Sequence, residues 1–150
     1  MSTNWPAINR IILAEHLRRY ASISRIKYEK KIEDQSISAR AHLDEQKQQF
    51  VLSQYTENEF EALEHRILET AKRGDYEVEV MRFHSAYCTD GGRAINNSEK
   101  AWPETLLGKA RDFYLIWKEH GNPKGYRMTA KIMNFPKGFM GDVGIFIDWS

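Results

Sequence analysis

Apolar positions change their period along this chain. Up to residue 73 they recur at three- and four-residue spacing, and from Tyr76 they alternate with polar ones. The first regime opens at Asn4-Trp5-Pro6, which reads as a helix start with Pro6 in its first turn. Ile8, Ile11, Ile12, Leu13, Leu17, Tyr20 and Ile23 follow as an apolar cluster. The pattern then thins, because between Tyr28 and Arg40 only Ile32, Ile37 and Ala39 are apolar. That stretch is expected to be solvated helix, or a linker around residues 34–38. Leu43, Phe50, Val51 and Tyr55 predict a second helix with a narrow apolar edge. Thr56-Glu57-Asn58-Glu59 has the form of a capping box, and Phe60, Leu63, Ile67, Leu68 and Ala71 recur behind it on one helical face. Gly74 stands where a C-terminal cap belongs.

In the second regime Tyr76, Val78 and Val80 alternate with Glu77 and Glu79, predicting a strand with one buried face. A loop over residues 84–97 leads to a helix opened by Pro103-Glu104, with Leu106, Leu107, Ala110, Phe113, Tyr114 and Trp117 on its apolar side. Gly121 and Pro123 close it. Tyr126, Met128, Ala130 and Ile132 alternate as a second strand. After a loop with Pro136, Gly138 and Gly141, a third strand carries Val143, Ile145, Ile147 and Trp149.

The expected class is therefore α+β: N-terminal helices, as an arm or a hairpin (residues 1–55), then a compact α-β-α-β-β domain (residues 56–150). A strand, a helical crossover and a second strand favour a parallel pair, and the last two strands favour an antiparallel hairpin. Together they predict a small three-stranded mixed sheet. The element order resembles, as topology only, small nucleic-acid-binding domains of translation initiation factors and archaeal chromatin proteins. On that pairing Glu77 and Glu79 would lie beside Arg127 and Lys131 as a charge ladder. Phe83 and Phe146 could also stand on that outer face, which reads as solvated or covered by helices.

Glycine sharpens the division: all nine glycines lie at or after Gly74, and only Pro6 of the four prolines precedes it. Aromatics follow suit, six before Gly74 and twelve after, which places the better core in the second half. A net charge of +1 supplies no global field toward nucleic acid or a membrane surface. Locally the charge splits. Residues 10–31 hold seven cations against Glu15 and Glu29, a balance of +5, and residues 33–69 hold nine carboxylates against Arg40, Lys47 and Arg66, a balance of −6. Either the basic segment contacts phosphate, or the two segments pair antiparallel, within one chain or between two copies. The single Cys88 forms no internal disulfide, which fits a reducing, cytoplasmic setting, as does the lack of a leader-like or membrane-spanning run.

Site chemistry is sparse. After the first strand, His84, Cys88, Asp90, Gly91, Gly92 and Arg93 form the most unusual cluster, where paired glycines and an arginine are suited to an anion and Cys88 with His84 or His120 to nucleophile and base. It matches no phosphate loop, dinucleotide fingerprint or zinc spacing. The bland reading is a turn at Asp90-Gly91-Gly92 with Arg93 tied to a carboxylate such as Asp148. His16, His42 and His65 read as surface residues. Phe139 and Met140, in the last loop, and Trp102 are partner-contact candidates. The leading expectation is a non-enzymatic binding or regulatory protein acting through self-association or a protein partner, with no cofactor, metal or membrane. One alternative is a nucleic-acid binder using Arg10, Arg18, Arg19, Arg25, Lys27, Lys30 and Lys31. The other is a small ligand binder or enzyme built on the loop over residues 84–93.

Overall fold

The computed structural model describes residues 13–150. The Asn4-Trp5-Pro6 start, Ile8, Ile11, Ile12 and Arg10 lie outside the described residues. The chain divides into two units between Asp44 and Glu45.

The first unit is the greater part of one helix, α1 (Ala14–Leu52), which runs 39 residues without a break. No linker interrupts residues 34–38, and no separate second helix follows. The thin apolar pattern there reflects exposure, not a break in the helix. Residues 28–40 contain neither Gly nor Pro, and Lys, Glu, Gln, Ala and Arg among them are strong helix formers. Glu15–Arg19 and Arg25–Glu29 pairs, each 3.7 Å, add i,i+4 support nearer its start. Among the described residues the basic and acidic stretches of α1 follow each other along a single helix and do not form the two arms of a hairpin.

The second unit (Glu45–Ser150) begins with the last two turns of α1. Then come α2 (Glu57–Lys72), β1 (Glu77–His84), a one-turn α3 (Arg93–Asn96), α4 (Gly108–Ile116), β2 (Arg127–Ile132) and β3 (Asp142–Asp148). Caps frame α2 as its sequence requires. The Thr56 hydroxyl accepts the Glu59 N–H at 3.2 Å, and Gly74 in the left-handed region lets two backbone N–H groups return to Ala71 and Thr70.

The sheet is antiparallel throughout, in the order β1-β3-β2. This corrects the expected parallel pairing of the first two strands, because β3 lies between them. Its own residues explain the choice: Val143 to Ile147 are all buried, and a strand apolar on both faces belongs where neighbours cover both edges. Val80 marks a bulge where β1 slips against β3, so Val80 is buried and Met81 half-buried next to it. Leu63 of α2, Phe113 and Ala110 of α4, and Ile145 and Val143 of β3 are buried in the core.

Two aromatic anchors hold the end of α1 and the following turn to this core. The Phe50 ring sits 5.0 Å from Phe83 and 5.2 Å from Tyr87, and Tyr55 meets Phe113 edge-on at 4.9 Å while its N–H donates to Asp112 at 2.7 Å. Gly108 makes the close approach possible. Its φ is +53°, and a Cβ there would run into the Phe50 carbonyl and the Val51 Cα.

Candidate functional site

The loop after β1 satisfies its own polar groups. His84 Nδ1 accepts the Ala86 N–H at 3.0 Å, and the Ser85 hydroxyl donates to the Met140 carbonyl at 3.0 Å. Asp90 spends both carboxylate oxygens on the N–H groups of Gly92 and Ala94, at 2.9 and 2.8 Å. Thus Asp90 already holds the glycine-turn donors that would receive an anion. Arg93 is exposed, and Asp148, proposed above as its partner, instead accepts from Arg127 and Ser150. Cys88 is 2% exposed, and burial, with the Asp90 charge next, pushes its thiol up to about 11. A thiol held protonated at neutral pH is a poor nucleophile. His120 lines a different part of the second unit.

That part is a cleft of about 160 Å³ between α2, the end of α4, the turn that follows it up to Tyr126, and Ile147 of β3. Phe60, Leu63 and Trp117 give it apolar walls, while His120, Lys124 and Glu64 are its exposed ionisable groups. Beyond α4 the chain widens into a π-turn, Trp117–Gly121, whose Trp117 indole donates to the Tyr126 carbonyl at 2.8 Å. Gly121 leaves room for that indole, since a Cβ would come within 2.9 Å of it. π-turns recur at functional positions, and the volume suits a group the size of benzene.

The outer face of the sheet is a charge network around one ring. Lys131 reaches across β3 to Glu77 at 3.2 Å, and its ammonium lies 4.5 Å from the Phe146 ring centre. Glu79 pairs with Arg82 on its own strand at 2.8 Å, and Arg127 with Asp148 at 3.2 Å. Half of the expected ladder forms, therefore, but across an intervening strand. Phe146 stands on this face and Phe83 on the inner one. Opposed acids and bases leave no net cationic face for a nucleic-acid backbone.

The three partner-contact candidates separate. Phe139 is 77% exposed, with Phe135 also exposed beside it, whereas Met140 and Trp102 are half-buried. His16, His42 and His65 are exposed. Among the described residues no group of three or more His, Cys, Asp or Glu side chains is placed to hold a metal. No described helix is long and apolar enough to cross a membrane.

α1 carries a long exposed surface. Every residue over 14–42 is exposed, and these include Leu17, Tyr20, Ile23, Ile26, Tyr28, Ile32 and Ile37. The basic residues Arg18, Arg19, Arg25, Lys27, Lys30 and Lys31 fall at positions spread around the helix circumference, so they make no single cationic face. One signal escapes a search for three- and four-residue spacing. Leu17, Ala21, Tyr28, Ile32, Ala39, Leu43 and Phe50 follow a strict four-seven alternation, an eleven-residue repeat. Eleven residues complete about three helical turns, so these side chains share one stripe. Alanine's small weight in hydropathy hid it. No family model, curated protein or solved structure matches the chain.

Proposed function

We propose that this chain is a non-enzymatic binding protein that works by self-association, with residues 14–44 of α1 as the assembling element. The observation that carries this reading is the exposed apolar content of α1. Leu17 and Ile32 remain about half exposed, and Tyr28 is 65% exposed. Burial of such side chains contributes about 1.5–3 kcal/mol each, which a single copy leaves unrealised along this stretch. Helices of this kind draw most of their stability in water from packing. The loop over residues 84–93 supports the same reading indirectly, because Asp90 and His84 Nδ1 are taken up by internal hydrogen bonds and the Cys88 thiol is buried. Phe139 offers a smaller contact point of the same character for a protein partner.

Sedimentation equilibrium over a wide concentration range tests the proposal. The expected result is a reversible, concentration-dependent oligomer that Ile32→Glu shifts toward monomer. A monomer at every concentration up to the millimolar range would retire it. Titration with duplex and single-stranded nucleic acid at low salt separates the basic-segment alternative, for which affinity must fall steeply with added salt.

A further inference from the structure

We infer that the partner of α1 is a second copy running antiparallel, centred on Lys30; this rests on the self-association reading above and specifies its geometry. Two independent features of α1 lead there.

The first is the symmetry of the stripe. Reversed about residue 30, its part from Leu17 to Leu43 maps onto itself: Leu17 falls opposite Leu43, Ala21 opposite Ala39, and Tyr28 opposite Ile32, while Phe50 packs on Phe83 and Tyr87 of its own chain and stays outside the pairing. A two-fold axis at that point makes the interface self-complementary, as closed dimers require. The alanines alternate with larger side chains, so the facing pairs are small with small and large with large. An eleven-residue period corresponds to about 3.67 residues per turn, so the contact line winds slowly round the helix and two rods that follow it twist right-handed about each other.

The second is charge. Six cations stand against Glu15 and Glu29 over residues 14–31, a balance of +4. Four carboxylates stand against Arg40 over residues 33–45, a balance of −3. The midpoints of these segments lie about 25 Å apart along the axis at the helical rise, well beyond a Debye length of about 8 Å. A parallel pair would therefore lay like charge against like over both halves. An antiparallel pair lays each half against its opposite. The helix dipole does not account for the polarity, since it acts only within the end turns and these charges lie mostly beyond them. Reversal of one rod is thus selected by sign, while the stripe permits either direction.

Cysteine pairing reads the direction on the full-length chain. Ala21→Cys and Ala39→Cys both replace exposed residues with one of similar size, and the native Cys88 is buried and does not compete. Mixing the two variants under mild oxidation should give a disulfide-linked heterodimer, at least about tenfold faster than either variant links to itself. Circular dichroism of each variant confirms retained helix. Self-linking of Ala21→Cys as the faster reaction would mean a parallel pair and overturn the inference, leaving self-association standing. No linking in any mixture, together with a monomer by sedimentation, would overturn both. Raised salt supplies a further readout: antiparallel linking should slow with ionic strength, and acceleration would contradict the charge argument.

Discussion

The stretch over residues 14–42 and the unit Glu45–Ser150 meet the same solvent with opposite solutions. The first has no buried residue in 29 positions, although leucine, isoleucine and tyrosine are scattered along it. The second buries a run of five consecutive residues in β3 and closes its loops with side-chain hydrogen bonds. One stretch forms a helix whose apolar surface stays unmatched within a single copy. The other derives its order from long-range packing. Helical structure alone therefore says little about where a chain's stability resides.

The sharpest break of this comparison is truncation. Removing the residues before Glu45 should leave a cooperatively folding unit, because Phe50 and Tyr55 remain on Phe83, Tyr87 and Phe113. Removing those before Thr56 should abolish it. Loss of two aromatic anchors costs about 3–5 kcal/mol each, comparable to the whole stability of a small domain. Urea unfolding followed by tryptophan fluorescence distinguishes the two, and equal cooperativity would show that the end of α1 contributes nothing to the core. Gly108→Ala probes the same seam in the intact chain. A strained φ and collision with the Phe50 carbonyl and Val51 should together cost about 2–4 kcal/mol.

Paired substitutions ask whether the asymmetry holds for single side chains. Leu63→Ala in the core should lower stability by about 3 kcal/mol. Ile32→Ala on α1, measured at concentrations too low for association, should change it by less than about 0.5 kcal/mol. Similar losses at both positions would mean that Ile32 is packed within the monomer.

How much of this was legible beforehand depended on which physical effect wrote the signal. The α2 caps were plain, since Thr56, Glu59 and Gly74 are local chemistry acting within a few residues. Each strand was legible from its alternation. Strand order was not, although five buried residues in succession in β3 marked the central position. Connection rules favour a parallel pair, and burial of β3 on both faces overrides them. The continuity of α1 is faint in the sequence for a different reason: an exposed helix carries no burial pattern, only propensity. The loop over residues 84–93 drew notice for its reactive side chains, but whether Asp90 faces a ligand or its own backbone depends on a local turn that composition does not encode.

Alkaline pH acts on the second unit through two buried groups. Burial raises the Tyr55 phenol to about 12, with Arg66 opposing and Glu59 reinforcing, and raises the Cys88 thiol to about 11. In the unfolded chain these groups ionise near pH 10 and 8.5. The folded state then retains protons that the unfolded state releases, so stability is complete below about pH 8.5 and falls as pH rises toward 12. Each group contributes at most about 1.4 kcal/mol per pH unit inside its own window. Urea midpoints measured from pH 8 to 11 should decline, and Cys88→Ala should flatten the lower part of that decline. A level profile for the parent chain would mean that neither group is shielded from water.

The smallest effect expected lies on the outer face of the sheet. Lys131 and Glu77 are 53% and 38% exposed, so their ion pair is screened and contributes about 0.5 kcal/mol at most. Glu77→Gln removes the pair but leaves the ammonium over Phe146, whereas Lys131→Ala removes both. Lys131→Ala should therefore be the more destabilising by about 0.5 kcal/mol, and the difference should survive high salt because the stem of Lys131 also covers the ring. If salt erased the difference, Phe146 would owe its burial to neighbours other than Lys131. Gly144, where an added Cβ would come within 2.8 Å of the same ring, would be the next place to look.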